Sequence, residues 1–241
     1  MTSLLAWHGC RANGTTRYLK VKEVVGVKTF LVGNVELCSN ALHGSIRAVD
    51  MLRFSEGLWI KRTLHEGTII HDSDKFGSSE RTVIGETDAT QVVVDWAFWC
   101  ANRAVHIHAV TALRQAGMGA EAEKLVGLEA ITDKKSADIA SYALNTAANT
   151  AAFTAYTAHA AASAAHAAVH AAAYTAANAV YTAANAAYNA YAVHAAADTA
   201  ACAAANTACA AANADEMEFL NAELERRLLA LMGLTETEVI Q

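Results

Sequence analysis

The sequence predicts an α+β fold, a small mostly-β amino-terminal domain followed by long alanine-rich α-helices. Three observations predict it. Short runs of β-formers broken by Gly and polar clusters fill the chain from Thr15 to Ile84. After Thr87-Asp88-Ala89-Thr90 the apolar residues recur at helical spacing. From Ala137 to Ala214 roughly every second residue is alanine, and neither Gly nor Pro occurs.

In chain order, Thr16 to Val21 alternates as a strand does, and Phe30-Leu31-Val32 and Val35-Glu36-Leu37 supply two β runs around Gly33-Asn34, which reads as a hairpin turn. Ser45 is placed to cap a short helix over Ile46 to Phe54, which Gly57 stops. Strands are expected at Leu58–Leu64, Thr68–Ile70 and Arg81–Ile84, with Glu66-Gly67 and the polar run Asp72 to Lys75 between them. Val93, Ala97, Cys100, Ala104 and Ile107 then mark an amphipathic helix reaching about Ala116, ended by Gly117 and Gly119. A shorter helix follows near Glu121 to Leu128.

In the alanine-rich stretch the larger and polar residues, from Asn145, Asn149 and Phe153 through His159 and His166 to Asn185 and Tyr188, step by three and four and form one helical stripe. Alanine has the best helix propensity, so helix is expected throughout; unbroken, it would be about 117 Å long at 1.5 Å per residue. Asp138 and Asp198 are its only acidic residues and it has no Lys or Arg. A long, nearly uncharged rod of small side chains lets helix axes approach closely, so self-association is expected. Asp215 to Leu231 returns to ordinary amphipathicity and can clamp the rod; Gly233 ends it. The expected divisions are a small α+β domain at 1–88, connecting helices at 89–136, the alanine-rich segment at 137–214, and the amphipathic helix with its tail at 215–241.

Net charge is -6 with a pI near 5.9, so nothing draws the chain toward nucleic acid or anionic lipid. The alanine stretch is interrupted too often by Asn, His and Thr to read as a membrane span. The five cysteines are an odd number without a CxxC pair, and no signal-peptide pattern opens the chain, which points to a reducing, cytoplasmic setting. His166 and His170 lie one turn apart with His159 upstream, but no carboxylate is near them in sequence to complete a zinc site, and no metal or cofactor is expected.

The run Cys38 to Ser45 (Cys-Ser-Asn-Ala-Leu-His-Gly-Ser), with Ala48, Asp50, Leu52, Trp59-Ile60 and Asp74-Lys75, resembles a family of uncharacterised phage and bacterial proteins. Its members carry a Cys...Gly-Leu-His-Ala-Ser signature, and many continue into alanine-repeat tails like those of some immunity proteins. This chain departs from the pattern at Ala41 and Gly44. The resemblance implies a phage or mobile-element origin and a two-part layout; it implies no chemistry.

Two functions follow as expectations. The first is a non-enzymatic accessory protein, a homo-oligomer through its alanine-rich segment, that displays the amino-terminal domain to a protein partner of unknown identity. The second takes the order of Arg17, His43, Ser45 and Glu80 or Glu86 near strand ends, which loosely resembles the layout of ADP-ribosyltransferases. That resemblance implies a nucleotide-binding enzyme in which Arg17 and Ser45 hold the dinucleotide and Glu80 or Glu86 activates the acceptor, with His43 near them at a strand end. The paired Ser-Thr-Ser and Glu-x-Glu signatures of that family are absent.

Overall fold

Two long antiparallel strands, β4 (Trp59–His71) and β5 (Phe76–Asp88), form the centre of the sheet, and the polar loop at 72–75 joins them. The structure is a computed structural model that describes residues 3–16, 20–155 and 214–235. These fall into two compact units, one of residues 3–16, 20–93 and 221–235, the other of 94–155 and 214–220.

In the first unit β1 (Leu4–Cys10) pairs with one edge of β4, while β2 (Lys28–Phe30) and β3 (Leu42–Gly44) pair with successive stretches of the far edge of β5. All of these pairings are antiparallel. Just past β3 the Trp7 N–H donates to the Ser45 carbonyl at 2.8 Å, and the Ser45 N–H returns to Trp7 at 3.0 Å. This bridge joins β3 back to β1, so β1, β4, β5 and β3 close into a ring and the sheet has an interior. Register breaks between Arg62 and Thr63 and between Glu66 and Ile69 bend β4, and Gly67 takes φ +75° in the second of them.

Period-2 alternation sends Ala6 and His8 of β1 and Lys61, Thr63 and His65 of β4 to the interior. On the other face, the Arg62 guanidinium stacks 4.5 Å over Trp7. That indole donates to Glu225 Oε1 at 3.0 Å, on a carboxy-terminal helix described below.

Several elements differ from the sequence expectation. β1 lies upstream of the region where strands were expected. The Gly33-Asn34 hairpin does not form: Lys28–Phe30 pairs with β5, where the long strand leaves an open edge, and Glu36 pairs with Asn40. The Asn40 side-chain amide donates to the carbonyls of Val32 and Asn34 and holds that loop in place of a strand ladder. The strands expected at 58–64 and 68–70 are one bulged strand. Around Thr16, residues 17–19 lie outside the described residues.

The short helix is α1 (Ala48–Leu52), and the Ser45 backbone is committed to Trp7 rather than to a cap. Its first N–H groups are capped from elsewhere. Glu225 Oε1 accepts from Ala48 N–H and Asn221 Oδ1 from Val49 N–H, each at 3.1 Å. Both belong to α6 (Ala214–Met232), whose Leu224 and Leu228 are buried.

In the second unit, α2 (Thr90–Arg103), a π-helical segment (Ala104–Ala109) and α3 (Val110–Gln115) run on as one helix, ended by Gly117 at φ +76°. α4 (Gly119–Val126) packs on α3. The Asn102 amide clamps the Ile131 backbone through two 2.8 Å hydrogen bonds. Arg103 grips Glu216 through two bonds of 2.8 and 3.0 Å, and His108 Nε2 lies 3.1 Å from the same carboxylate. Burial pulls Glu216 up, but Arg103 and His108 outweigh it and hold the carboxyl below its ordinary range.

α5 (Lys134–Ala155) opens the alanine-rich segment. Asp133 accepts from the Ser136 N–H at 2.8 Å, and Ser136 Oγ accepts from the Asp133 N–H at 3.1 Å, a reciprocal cap. Ala137, Ala140, Leu144 and Ala147 are buried at helical spacing, while Asn145 and Thr146 are exposed. In these described turns Ala137, Ala140 and Ala147 pack and Asn145 faces out. The rest of the expected long helix, residues 156–213, with His159, His166, His170, Cys202 and Cys209, lies outside the described residues.

Candidate functional site

The interior of the β ring is polar. Lys61, Thr63, His65 and Ser78 have no exposed surface, and Arg81 and Glu23 are nearly as buried. Arg81 donates to Glu23 Oε1 through Nε at 2.9 Å and Nη2 at 2.6 Å, and through Nη1 to the His43 carbonyl at 2.8 Å. Lys61 Nζ reaches the other Glu23 oxygen at 3.4 Å and Glu86 Oε2 at 3.5 Å. Two buried cations thus share Glu23, which comes from the loop before β2. A buried ion pair is costly unless its members are matched this closely.

Next to this network the Ser78 hydroxyl donates to the Glu80 carbonyl at 2.8 Å. His65 lies between two hydroxyls, its Nδ1 2.8 Å from Ser78 Oγ and its Nε2 3.0 Å from Thr63 Oγ1. Gly44 is required opposite: a Cβ there would stand 2.8 Å from His65 Nε2 and 2.9 Å from the Ala6 methyl.

From this interior a partly open pocket of about 90 Å³ reaches the surface between β1, β3 and the 36–41 turn. His8, Thr16, His43, Ser45, Lys75 and Arg81 give it polar lining; Leu42, Met51 and Phe54 give it apolar lining. Cys38 lines it too, at the tip of the turn with φ +66°, a conformation a non-glycine residue rarely adopts. That backbone turn lets the Cys38 N–H donate to His43 Nε2 at 3.1 Å.

Burial first, then Arg81 and Lys75, pushes His43 from 6.5 down to about 4. His8 falls well below its ordinary value, again by burial first, then by Arg81, His65, Lys61 and His43. Burial is the largest cause for both, and Arg81, Lys61 and Lys75 add to it, so both rings are neutral at pH 7.

No protein-family model, curated protein or solved structure matches the chain.

Of the residues singled out in the sequence, His43 and Ser45 meet in this pocket. Glu80 does not line it; its carboxylate is 3.0 Å from Lys28 Nζ, which also binds Glu66 at 2.7 Å. Arg17 lies outside the described residues. His8, Thr16, Glu23, Lys61 and Arg81 went unnoticed in the sequence. The alternation of Leu4, Ala6, His8 and Cys10 was a legible signal for β1, but Glu23 and Arg81 are far apart in sequence and only the sheet joins them. No helix among the described residues is long and apolar enough to cross a membrane, and none of their His, Cys, Asp and Glu side chains group in threes suited to a metal ion.

Proposed function

We propose that the chain is a non-enzymatic accessory protein of phage or mobile-element origin that self-associates through its alanine-rich segment and displays the β unit for binding. The observation that carries the binding role is the state of the pocket. His43 Nε2 is engaged by the chain's own backbone, both imidazoles are held neutral, and Glu80 is engaged by Lys28 on another surface. This arrangement offers hydrogen-bonding groups to a ligand and does not assemble an acid with a base. Val24, Val27, Phe30 and Val32 are exposed along the β2 edge, Val32 at 91%, and an apolar strip of this kind suits a protein partner.

Self-association is supported by the nearly charge-free alanine stretch. The alternative, a nucleotide-binding or ADP-ribosyl-transferring enzyme, has His43 and Ser45 in one pocket in its favour, but it needs Glu80 or Glu86 there as well, and neither is among the described lining residues. Sedimentation equilibrium of the intact chain at micromolar concentrations tests self-association: a concentration-dependent oligomer is expected, and a monomer throughout would remove it. A thermal shift with NAD would move the reading to the enzyme.

A further inference from the structure

The geometry points to the β-unit pocket as a binding site for a small oxyanion, a carboxylate or phosphate head on a short apolar stem, held by Thr16, His8, Arg81 and Lys75. Thr16 is 4% exposed, lines the pocket, and its Oγ1 has no hydrogen-bond partner among the described residues. The same holds for the buried Nε2 of His8. Unpartnered polar atoms in such places cost free energy unless a ligand meets them.

Arg81 has five N–H donors, of which three are engaged by Glu23 and the His43 carbonyl, so two stay uncommitted among the described residues. The Lys75 ammonium stands 4.6 Å over the Phe54 ring, and no carboxylate is paired with it among the described residues. No acidic side chain is among the described lining residues. A lining rich in donors and cations, without carboxylates, matches a ligand rich in acceptors that carries negative charge. Leu42, Met51 and Phe54 provide the apolar wall for a stem. About 90 Å³ is less than the ~150 Å³ cavity that encloses benzene, so the enclosed part of the ligand is a head group with a few carbons.

This inference rests on the β unit being the binding part of the chain. Its test is thermal unfolding of the full chain at constant ionic strength with sodium butyrate, inorganic phosphate, or butyramide as the neutral counterpart of butyrate. A saturable rise in melting temperature with butyrate or phosphate and none with butyramide is expected; the anion that saturates first identifies the head group. Thr16→Val and Lys75→Met should each weaken that binding roughly tenfold or more. If Thr16→Val fails to fold by circular dichroism, Lys75→Met alone decides. An equal shift with butyramide, no saturable shift with either anion, or full affinity in the folded variants overturns the inference. Light scattering on the same samples separates the two ideas: oligomers without an anion effect remove the pocket inference alone, and anion binding by a monomer removes self-association alone.

Discussion

An imidazole that is neutral in the folded chain ties stability to pH, and His8, His43 and His65 all sit in that position. His65 is pushed well down by burial first, then by Arg81 and His43. The folded pKa is depressed in all three, so the unfolded chain binds more protons as pH falls below the ordinary 6.5. Their stabilisation is complete above that value and is lost as pH falls toward 4, where His43 titrates. Among the carboxylates, Glu223, pulled down to about 2 by Arg226, loses its contribution only below its own ordinary 4.5. The window from 6.5 to 4.5 therefore belongs to the imidazoles. Melting temperature should be level from pH 8 to 7 and drop by several degrees or more from 6.5 to 4.5; a level profile through that window would contradict neutral burial. At this scale the sequence was partly legible. His43 and Ser45 stood out as polar residues at strand ends, whereas Lys61 in a strand reads as a solvated charge until the ring closes around it.

Among the elements, the amphipathic period of α6 and the helical spacing after Thr90 were plain in the sequence because one apolar stripe marks each. What α6 packs on was not. Glu225 accepts from the Trp7 indole and the Ala48 backbone, and the Asn221 amide donates to it at 3.0 Å, so one carboxylate joins α6, β1 and α1 across more than 170 residues of sequence. Such pairings leave no periodic trace. Glu225→Ala strands three partly buried donors and should destabilise by ~1–3 kcal/mol in urea unfolding, and Glu225→Gln, whose amide oxygen still accepts, by less. Equal midpoints for the wild type and Glu225→Ala would show that the cap contributes nothing. The π-helical segment was equally hidden, since it adds one residue per turn without changing which residues are apolar. β2 was misassigned because Gly33-Asn34 fits a hairpin locally while the edge of β5 competes for the same strand.

Over the whole molecule, the carboxy-terminal residues 221–235 belong with the amino-terminal sheet, so a chain cut near Lys134 would uncover Trp7 and the first turn of α1. A fair test of the alanine-rich segment must keep α6. The composition shift that marks that segment was the most legible feature of the sequence, and its first described turns bury alanine and expose Asn145. Self-association through this segment is best tested by light scattering on the intact chain against a chain in which residues 156–213 are replaced by a Gly-Ser linker of equal length, flexible enough for α6 to reach the sheet. The intact chain should be an oligomer at micromolar concentration, and the linker chain a folded monomer that still binds its anion. Two monomers, or two oligomers of the same size, would contradict assembly through the alanine-rich segment.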